Sequence, residues 1–245
     1  MTDLRSSPLG SWSPTLEAPA QDARAAEPAA AAVRSPGPNP TELAAHLAAR
    51  LCHDFISPAS AIMSGVDLLG DPSAQDMRDD ALNLISTSAK KLGDMLSFAR
   101  VAFGASSSAE TFDSDTLKAL TTQVYAHVRP SLDWQVTAGQ MQKPAARALL
   151  NMAQIGATAL PMGGTAIIRT EQIGENLKIT IDAHGGRARI RPEVLAGLRG
   201  DPLGEGLGGH WVQAYYLWAL VTSAGGSCAA EANEERVLLT AIVPN

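Results

Sequence analysis

The chain has 245 residues, of which 45% are hydrophobic, so it is long and apolar enough for one large or two modest domains. Its net charge of -6 and its pI near 5.3 argue against a nucleic-acid-binding protein, which would carry a basic face. The sequence contains neither an apolar run of membrane-spanning length nor the apolar core of a signal peptide, and its two cysteines, Cys52 and Cys228, make no disulfide framework. We therefore expect a cytoplasmic protein.

Residues 1–40 are rich in Ala, Pro and Ser and show no apolar periodicity, which predicts a disordered tail. The next segment carries apolar residues at spacings of three, four and seven, which predicts a helix of roughly 28 residues with Thr41 as its N-cap. Pro58 is expected to kink this helix or to remove one of its hydrogen bonds. The apolar stripe consists of Leu43, Leu47, Leu51, Phe55, Ile62, Val66 and Leu69.

A turn at residues 70–73 leads into a second predicted helix with its own apolar stripe. Two antiparallel helices with one apolar face each cannot bury that face alone, whereas two copies of the pair can do so as a four-helix bundle. We therefore expect residues 41–104 to form a helical hairpin that makes a homodimer. The second stripe consists of Met77, Ala81, Leu84, Ile85, Leu92, Met95, Leu96 and Ala99.

The pattern changes near residue 105, and residues 110–245 alternate between helical and strand-like segments. This mixture predicts a two-layer α/β sandwich after the hairpin, so the expected fold class is α plus α/β. The predicted helices cover residues 113–129, 142–160, 191–198 and 207–223, and the predicted strands cover residues 132–138, 165–170, 177–182, 227–232 and 237–243.

The first helix carries His53, which is followed at once by Asp54 and five residues later by Pro58. A neighbouring carboxylate can hold one ring nitrogen by a hydrogen bond and leave the other nitrogen free as a nucleophile. A lone histidine on a helix can equally be an exposed residue without a chemical role, so the spacing alone leaves both interpretations open. The triplet resembles the phospho-accepting box of the dimerising domain of histidine kinases.

The second domain resembles the ATP-binding domain of the same kinases, and the two similarities together cover residues 41–243. Residues 149–153 lie where the family has its asparagine box, residues 182–186 where it has Asp-x-Gly-x-Gly, and residues 204–209 where it has a second glycine box.

Three departures from the kinase pattern predict that this domain does not bind ATP productively. Ile155 stands where the family has a magnesium-binding asparagine, and an alkyl side chain cannot ligate a hard cation. His184 replaces the first glycine, so a ring stands where a nucleotide needs close approach of the backbone. The segment between residues 186 and 204 is also short for the mobile lid of the family. Phosphoryl transfer from ATP depends on the metal and oriented donors that these changes remove.

A kinase-like dimer that keeps its histidine and has lost its ATP site is similar to the alphaproteobacterial histidine phosphotransferases. The resemblance implies a transferase of a cell-cycle phosphorelay, in which His53 accepts a phosphoryl group from the receiver domain of a CckA-like hybrid kinase. Asp54 would orient the ring, and CtrA-like and CpdR-like response regulators would be the acceptors. The chain would bind no cofactor or metal of its own, because the Mg²⁺ would belong to the receiver.

Four residues around the histidine are candidates for docking the receiver: Arg50, Ile56, Lys90 and Lys91. Arg50 lies one turn before Asp54 and is a candidate for attracting phosphate, and the two lysines could attract an acidic receiver surface. Two other functions stay open from the sequence. An ATP-dependent histidine kinase core would bind nucleotide and label itself, and a non-catalytic adaptor that sequesters a response regulator would not need His53.

Overall fold

The structure is a computed structural model that describes residues 37–104, 110–202 and 208–245. The predicted tail up to residue 36 and residues 204–207 of the second glycine box lie outside the described residues. In the part of the chain that is described, no helix is long and apolar enough to cross a membrane.

The first helix, α1, spans Pro40–Gly70 and begins at the N-cap Asn39. The Asn39 side chain accepts a hydrogen bond from the Glu42 amide at 3.0 Å, and the Glu42 carboxylate accepts one from the Asn39 amide at 3.0 Å. This reciprocal pair is a capping box, and Pro40 follows with a backbone angle already suited to a helix. The prediction of Thr41 as N-cap is therefore wrong, because Thr41 lies inside the first turn. The helix continues through Pro58.

A short 3₁₀ helix, Pro72–Met77, connects α1 to α2, which spans Arg78–Ala102. The two helices form the predicted antiparallel hairpin and pack closely where Gly65 faces α2. A Cβ atom on Gly65 would lie 2.6 Å from Cγ1 of Ile85 and 3.1 Å from the Ala81 carbonyl oxygen. A larger side chain at position 65 would therefore push the two helices apart.

The second domain contains four helices and seven strands in its described residues. Its helices are α3 (Ser114–Tyr125), α4 (Lys143–Thr158), α5 (Pro192–Leu198) and α6 (Gly208–Ser223). Its strands are β1 (Thr111–Asp113), β2 (Ser131–Gln135), β3 (Gln140–Gln142), β4 (Thr165–Ile173), β5 (Asn176–His184), β6 (Ser227–Ala232) and β7 (Arg236–Pro244).

Five strands form one sheet in the order β2-β4-β5-β7-β6, in which only β2 and β4 run parallel. The remaining two strands, β1 and β3, form a separate antiparallel ladder that the sequence analysis missed because each strand has three residues. Alternate residues of β5 and β7 are buried, which places one face of the sheet against the helices. The predicted α plus α/β fold class is confirmed.

The hairpin packs directly on the second domain. Phe98 and Ala102 near the end of α2 belong to the same buried core as the α4 residues. Leu43 and Leu47 in the first turns of α1 contact a smaller buried group on α6, whose buried members are Trp211, Val212 and Tyr215. The first turns of α1 therefore lie beside the first turns of α6, and His53 follows on α1 less than two turns after Leu47.

Candidate phosphotransfer site

His53 projects from α1 into solvent, with 87% of its side chain exposed. The neighbouring residues Leu51 and Phe55 are half-buried, so the helical repeat turns position 53 outward. The ring nitrogen Nδ1 lies 3.4 Å from Oδ1 of Asp54, a long hydrogen bond. The other ring nitrogen, Nε2, has no hydrogen-bond partner among the described residues, so it is available to an approaching group.

Arg50 links this pair to the second domain. Its Nε donates to Oδ2 of Asp54 at 2.9 Å, and one of its terminal nitrogens donates to the carbonyl oxygen of Gly209 in the first turn of α6. Only 11% of the Arg50 side chain is exposed. The spacing of four residues between Arg50 and Asp54 could be seen in the sequence, whereas the contact with Gly209 could not.

The other three docking candidates occupy different places. Lys91 lines the same cavity as His53. Lys90 instead donates to Oδ2 of Asp94 at 2.8 Å and faces α3. Ile56 is 63% exposed, one turn after His53 on α1. The structure thus brings Arg50 to the carboxylate beside the histidine, places Lys91 in the lining of the same cavity, and pairs Lys90 with Asp94.

A cavity of about 320 Å³ lies beside His53, between the hairpin and helices α3, α4 and α6. Arg50, His53, Asp54 and Lys91 supply polar groups to its lining. Most of the remaining lining is apolar and consists of Leu51, Phe55, Met95, Phe98, Ala99, Phe103, Val124, Val128 and Ala157.

The pair of Asp94 and His127 also connects the hairpin to the second domain, and it is not among the candidates from the sequence. Nε2 of His127 lies 2.8 Å from Oδ2 of Asp94, and His127 is largely enclosed at the end of α3. Burial alone would raise the pKa of Asp94, but hydrogen bonds from Lys90 and His127 hold that pKa below its ordinary value. The two residues are 33 positions apart, so no local pattern relates them.

His210 lies in the first turn of α6, next to Gly209. Burial lowers the pKa of His210 below its usual value, and the positive charges of Arg191 and Arg50 lower that pKa further. Both arginines are therefore within electrostatic reach of the start of α6.

The residue at the asparagine-box position is engaged in a structural contact. Asn151 is fully buried, and its Nδ2 donates to the carbonyl oxygens of Ala102 at 3.0 Å and Arg147 at 2.9 Å. Its Oδ1 accepts from Gln213 at 3.4 Å. Ile155, one turn later on α4, is also buried. The side-chain amide of Asn151 is thus hydrogen-bonded to the carbonyl oxygen at the end of α2.

Asp182, at the Asp-x-Gly-x-Gly position, lies with His184 on the sheet face opposite the helices. It accepts hydrogen bonds from Arg236 at 2.7 and 2.9 Å and from Arg169 at 3.3 Å, and Nε2 of His184 lies 2.6 Å away. Burial opposes ionisation, but the contacts with Arg236 and His184 outweigh it and lower the pKa of Asp182 to about 2.

Residues 37–104, 110–202 and 208–245 contain no group of three or more His, Cys, Asp or Glu residues placed to hold a metal ion.

Comparison with known proteins defines the class. Residues 114–236 match the family model described as the histidine phosphotransferase C-terminal domain. The chain is 33% identical over 201 residues to the protein phosphotransferase ChpT of Brucella abortus (strain 2308), a match that covers 82% of this chain and 95% of that protein. The chain therefore belongs to the histidine phosphotransferase family, as predicted.

A solved structure described as a bacterial phosphotransferase at 1.7 Å supports the same assignment. It matches with a TM-score of 0.76 and 31% sequence identity, covering 85% of this chain and 99% of that chain. The predicted function class, a histidine phosphotransferase, is thus confirmed.

Proposed function

We propose that His53 is the phospho-accepting residue of this phosphotransferase. The observation that carries this proposal is the exposed His53 ring, in which Nδ1 is directed at Asp54 and Nε2 has no hydrogen-bond partner among the described residues. Of the five histidines in the chain, His53 combines this exposure with a hydrogen-bonded carboxylate on the helical hairpin. A docked receiver can reach it without any rearrangement of α1.

In the proposed reaction, the Nε2 lone pair attacks the phosphorus of a receiver aspartyl phosphate. The Nε2–P bond forms as the P–O bond to the aspartate breaks, and the aspartate leaves as a carboxylate. The ring keeps its Nδ1 proton and becomes positively charged, and the Asp54 carboxylate stabilises that charge. In the second transfer, a carboxylate of another receiver attacks the phosphorus, and the electron pair returns to Nε2.

Catalysis by this chain would consist mainly of positioning, because the reaction needs little covalent chemistry from the protein beyond the nucleophile. We propose that the Mg²⁺ which neutralises the developing charge is held by the receiver, next to its aspartate. Asp54 then acts as the orienting residue, since its Oδ1 can keep the Nδ1 proton in place.

We further propose that the second domain acts without ATP. The amide of Asn151 is bonded to the Ala102 carbonyl, and Ile155 offers no metal ligand. The carboxylate of Asp182 is engaged by Arg236, Arg169 and His184. These contacts support a domain whose former nucleotide residues now stabilise the fold.

A homodimer is proposed from apolar side chains that remain exposed on the hairpin. Ile56, Met63 and Val66 lie on one face of α1, and Leu82 and Leu96 lie on α2, all between 46% and 68% exposed. The spacings of seven and three residues along α1 and of fourteen residues along α2 follow a heptad pattern, which is typical of helices that pack in a bundle. A second copy of the hairpin would cover both faces.

We propose that exposed arginines of the second domain help to dock the receiver. Arg187, Arg189, Arg191 and Arg199 are all exposed, and in the described part of the chain none of them pairs with a carboxylate. These arginines would attract an acidic surface of a receiver. The charge of Arg191 also lowers the pKa of His210 in the first turn of α6.

The resemblance suggests the particular partners. We propose a CckA-like hybrid kinase receiver as the donor and CtrA-like and CpdR-like regulators as acceptors, in a cytoplasmic relay that controls the cell cycle.

The test of His53 is transfer of label from a receiver phosphorylated with ³²P. The wild-type chain should become labelled and pass the label to a second receiver, whereas His53→Ala should take up none. His46→Gln, seven residues earlier on the same helix, is the matched control and should keep the label. Label retained on His53→Ala, or none on the wild-type chain, would contradict the proposal.

A further inference from the structure

Arg50 contacts two separate elements, α1 and α6, through one guanidinium group. Its Nε binds Oδ2 of Asp54, the other oxygen of that carboxylate faces Nδ1 of His53, and a terminal nitrogen binds the Gly209 carbonyl. The contact with Gly209 spans 159 positions of the sequence and joins α1 of the hairpin to α6 of the second domain.

We propose that Arg50 is a positioning residue, which fixes the Asp54 carboxylate and thereby the ring of His53 from the second domain. This inference rests on the proposed role of His53 as phospho-acceptor. The second domain would then take part in the transfer reaction by holding the nucleophile in its reactive orientation, in addition to any docking of the receiver.

The geometry supports a positioning role for Arg50 because the two carboxylate oxygens of Asp54 have different partners, Arg50 and His53. Arg50 holds Oδ2 at 2.9 Å, so that Oδ1 is left pointing at the ring. An exposed ion pair four residues apart on a helix is weak, but this pair is largely enclosed and the arginine is anchored at both ends. The planar fork of arginine can bind two acceptors at once, which the single ammonium of lysine does less well.

The same burial argues against Arg50 as a direct docking residue. Its side chain is 11% exposed and that of His53 is 87% exposed, so an incoming receiver meets the ring before it meets the guanidinium. The donors of Arg50 are also partly used by Asp54 and Gly209. Positioning and docking therefore predict different kinetic effects of the same substitution.

The experiment compares Arg50→Gln with the wild-type chain in transfer from a phosphorylated receiver over a range of receiver concentrations. Positioning predicts a maximal transfer rate lower by about 10- to 100-fold, the range found when a group that orients a reactive residue is lost, with little change in the half-saturating receiver concentration. Arg50→Lys should recover part of that rate. The double variant with Asp54→Asn should be no slower than Asp54→Asn alone, because Arg50 acts through Asp54.

Arg147→Gln is the matched control for a merely structural effect. Arg147 also donates from α4 to a distant carbonyl, that of Gly104, at 3.0 Å, but it does not contact Asp54. This control should transfer at the wild-type rate. A spectroscopic measurement completes the comparison: ¹⁵N NMR of the His53 ring should show the Nδ1-protonated form in the wild type and a mixture of tautomers in Arg50→Gln.

Three outcomes would overturn the inference. An unchanged maximal rate with a raised half-saturating concentration would make Arg50 a docking residue. Equal losses of transfer rate in Arg50→Gln and Arg147→Gln would show that the role of Arg50 is structural. A wild-type tautomer of His53 in Arg50→Gln would show that Arg50 does not orient the ring. The role of His53 itself is tested independently by His53→Ala, which loses all label if the proposed function is right, whatever Arg50 does.

Discussion

Replacing Asn151 by Ala should destabilise the fold, because the Asn151 amide holds the end of the hairpin. Its Nδ2 donates to the carbonyl of Ala102, the last residue of α2, whose carbonyl has no partner inside its own helix. A typical net hydrogen bond contributes about 1 kcal/mol, and a buried carbonyl left without a partner costs about 1–3 kcal/mol. We expect the free energy of unfolding to fall by about 2–4 kcal/mol.

Urea denaturation followed by circular dichroism measures this difference, and in a chain of this size it corresponds to a lowering of Tm by about 5–15 °C. Asn83→Ala, at an exposed position of α2, is the matched control and should change stability by less than about 0.5 kcal/mol. An Asn151→Ala protein as stable as the wild type, with a measurable loss of nucleotide binding, would refute the structural role of this residue.

Three further predictions concern dimerisation, stability in acid and nucleotide binding. Met63→Glu should convert the proposed dimer to a monomer in light scattering, because it would place a charge in the proposed interface. Ser64→Glu should remain dimeric, because Ser64 is exposed but does not belong to the apolar face of α1 that contains Met63. Asp182 has a pKa below its unfolded value, so its contribution to stability is present above about pH 4 and is lost as the pH falls to about 2. Asp182→Asn should therefore be less stable than the wild type at pH 7, and the difference should disappear in acid unfolding near pH 2. Calorimetric titration with Mg-ATP should detect no metal-dependent binding, and self-labelling of His53 by ATP would instead favour a kinase.

The order of helices and strands could be predicted from the sequence because periodicity records which face of each element is buried. The missed ladder of β1 and β3 has too few residues per strand to show a period. The N-cap of α1 was assigned two residues too late, although Glu42 stands three residues after Asn39, the spacing of a capping box. Local spacing is thus sufficient to predict this N-cap.

The candidate site likewise combines contacts that the sequence predicts with contacts that it does not. His53, Asp54 and Arg50 are close in sequence, and their helical spacing places them together. The partners that connect this group to the second domain are distant: Gly209 lies 159 positions from Arg50, and His127 lies 33 positions from Asp94. No local pattern encodes such pairs, because they depend on how the hairpin packs against α3 and α6.

Residues that resemble a nucleotide site can persist because they hold the fold together. Asn151 keeps a buried amide where a kinase has one, but the carbonyl at the end of α2 occupies it. Asp182 keeps a carboxylate whose oxygens are held by two arginines and a histidine on the sheet face opposite the helices. Removal of Asn151 would leave the buried Ala102 carbonyl without a partner, and removal of Asp182 would leave the charges of Arg236 and Arg169 without their carboxylate. Stability alone is therefore a sufficient physical reason to retain both residues. The remnant pattern in the sequence is therefore weak evidence for ATP binding, whereas the contacts of Arg50 connect the same domain to the orientation of His53.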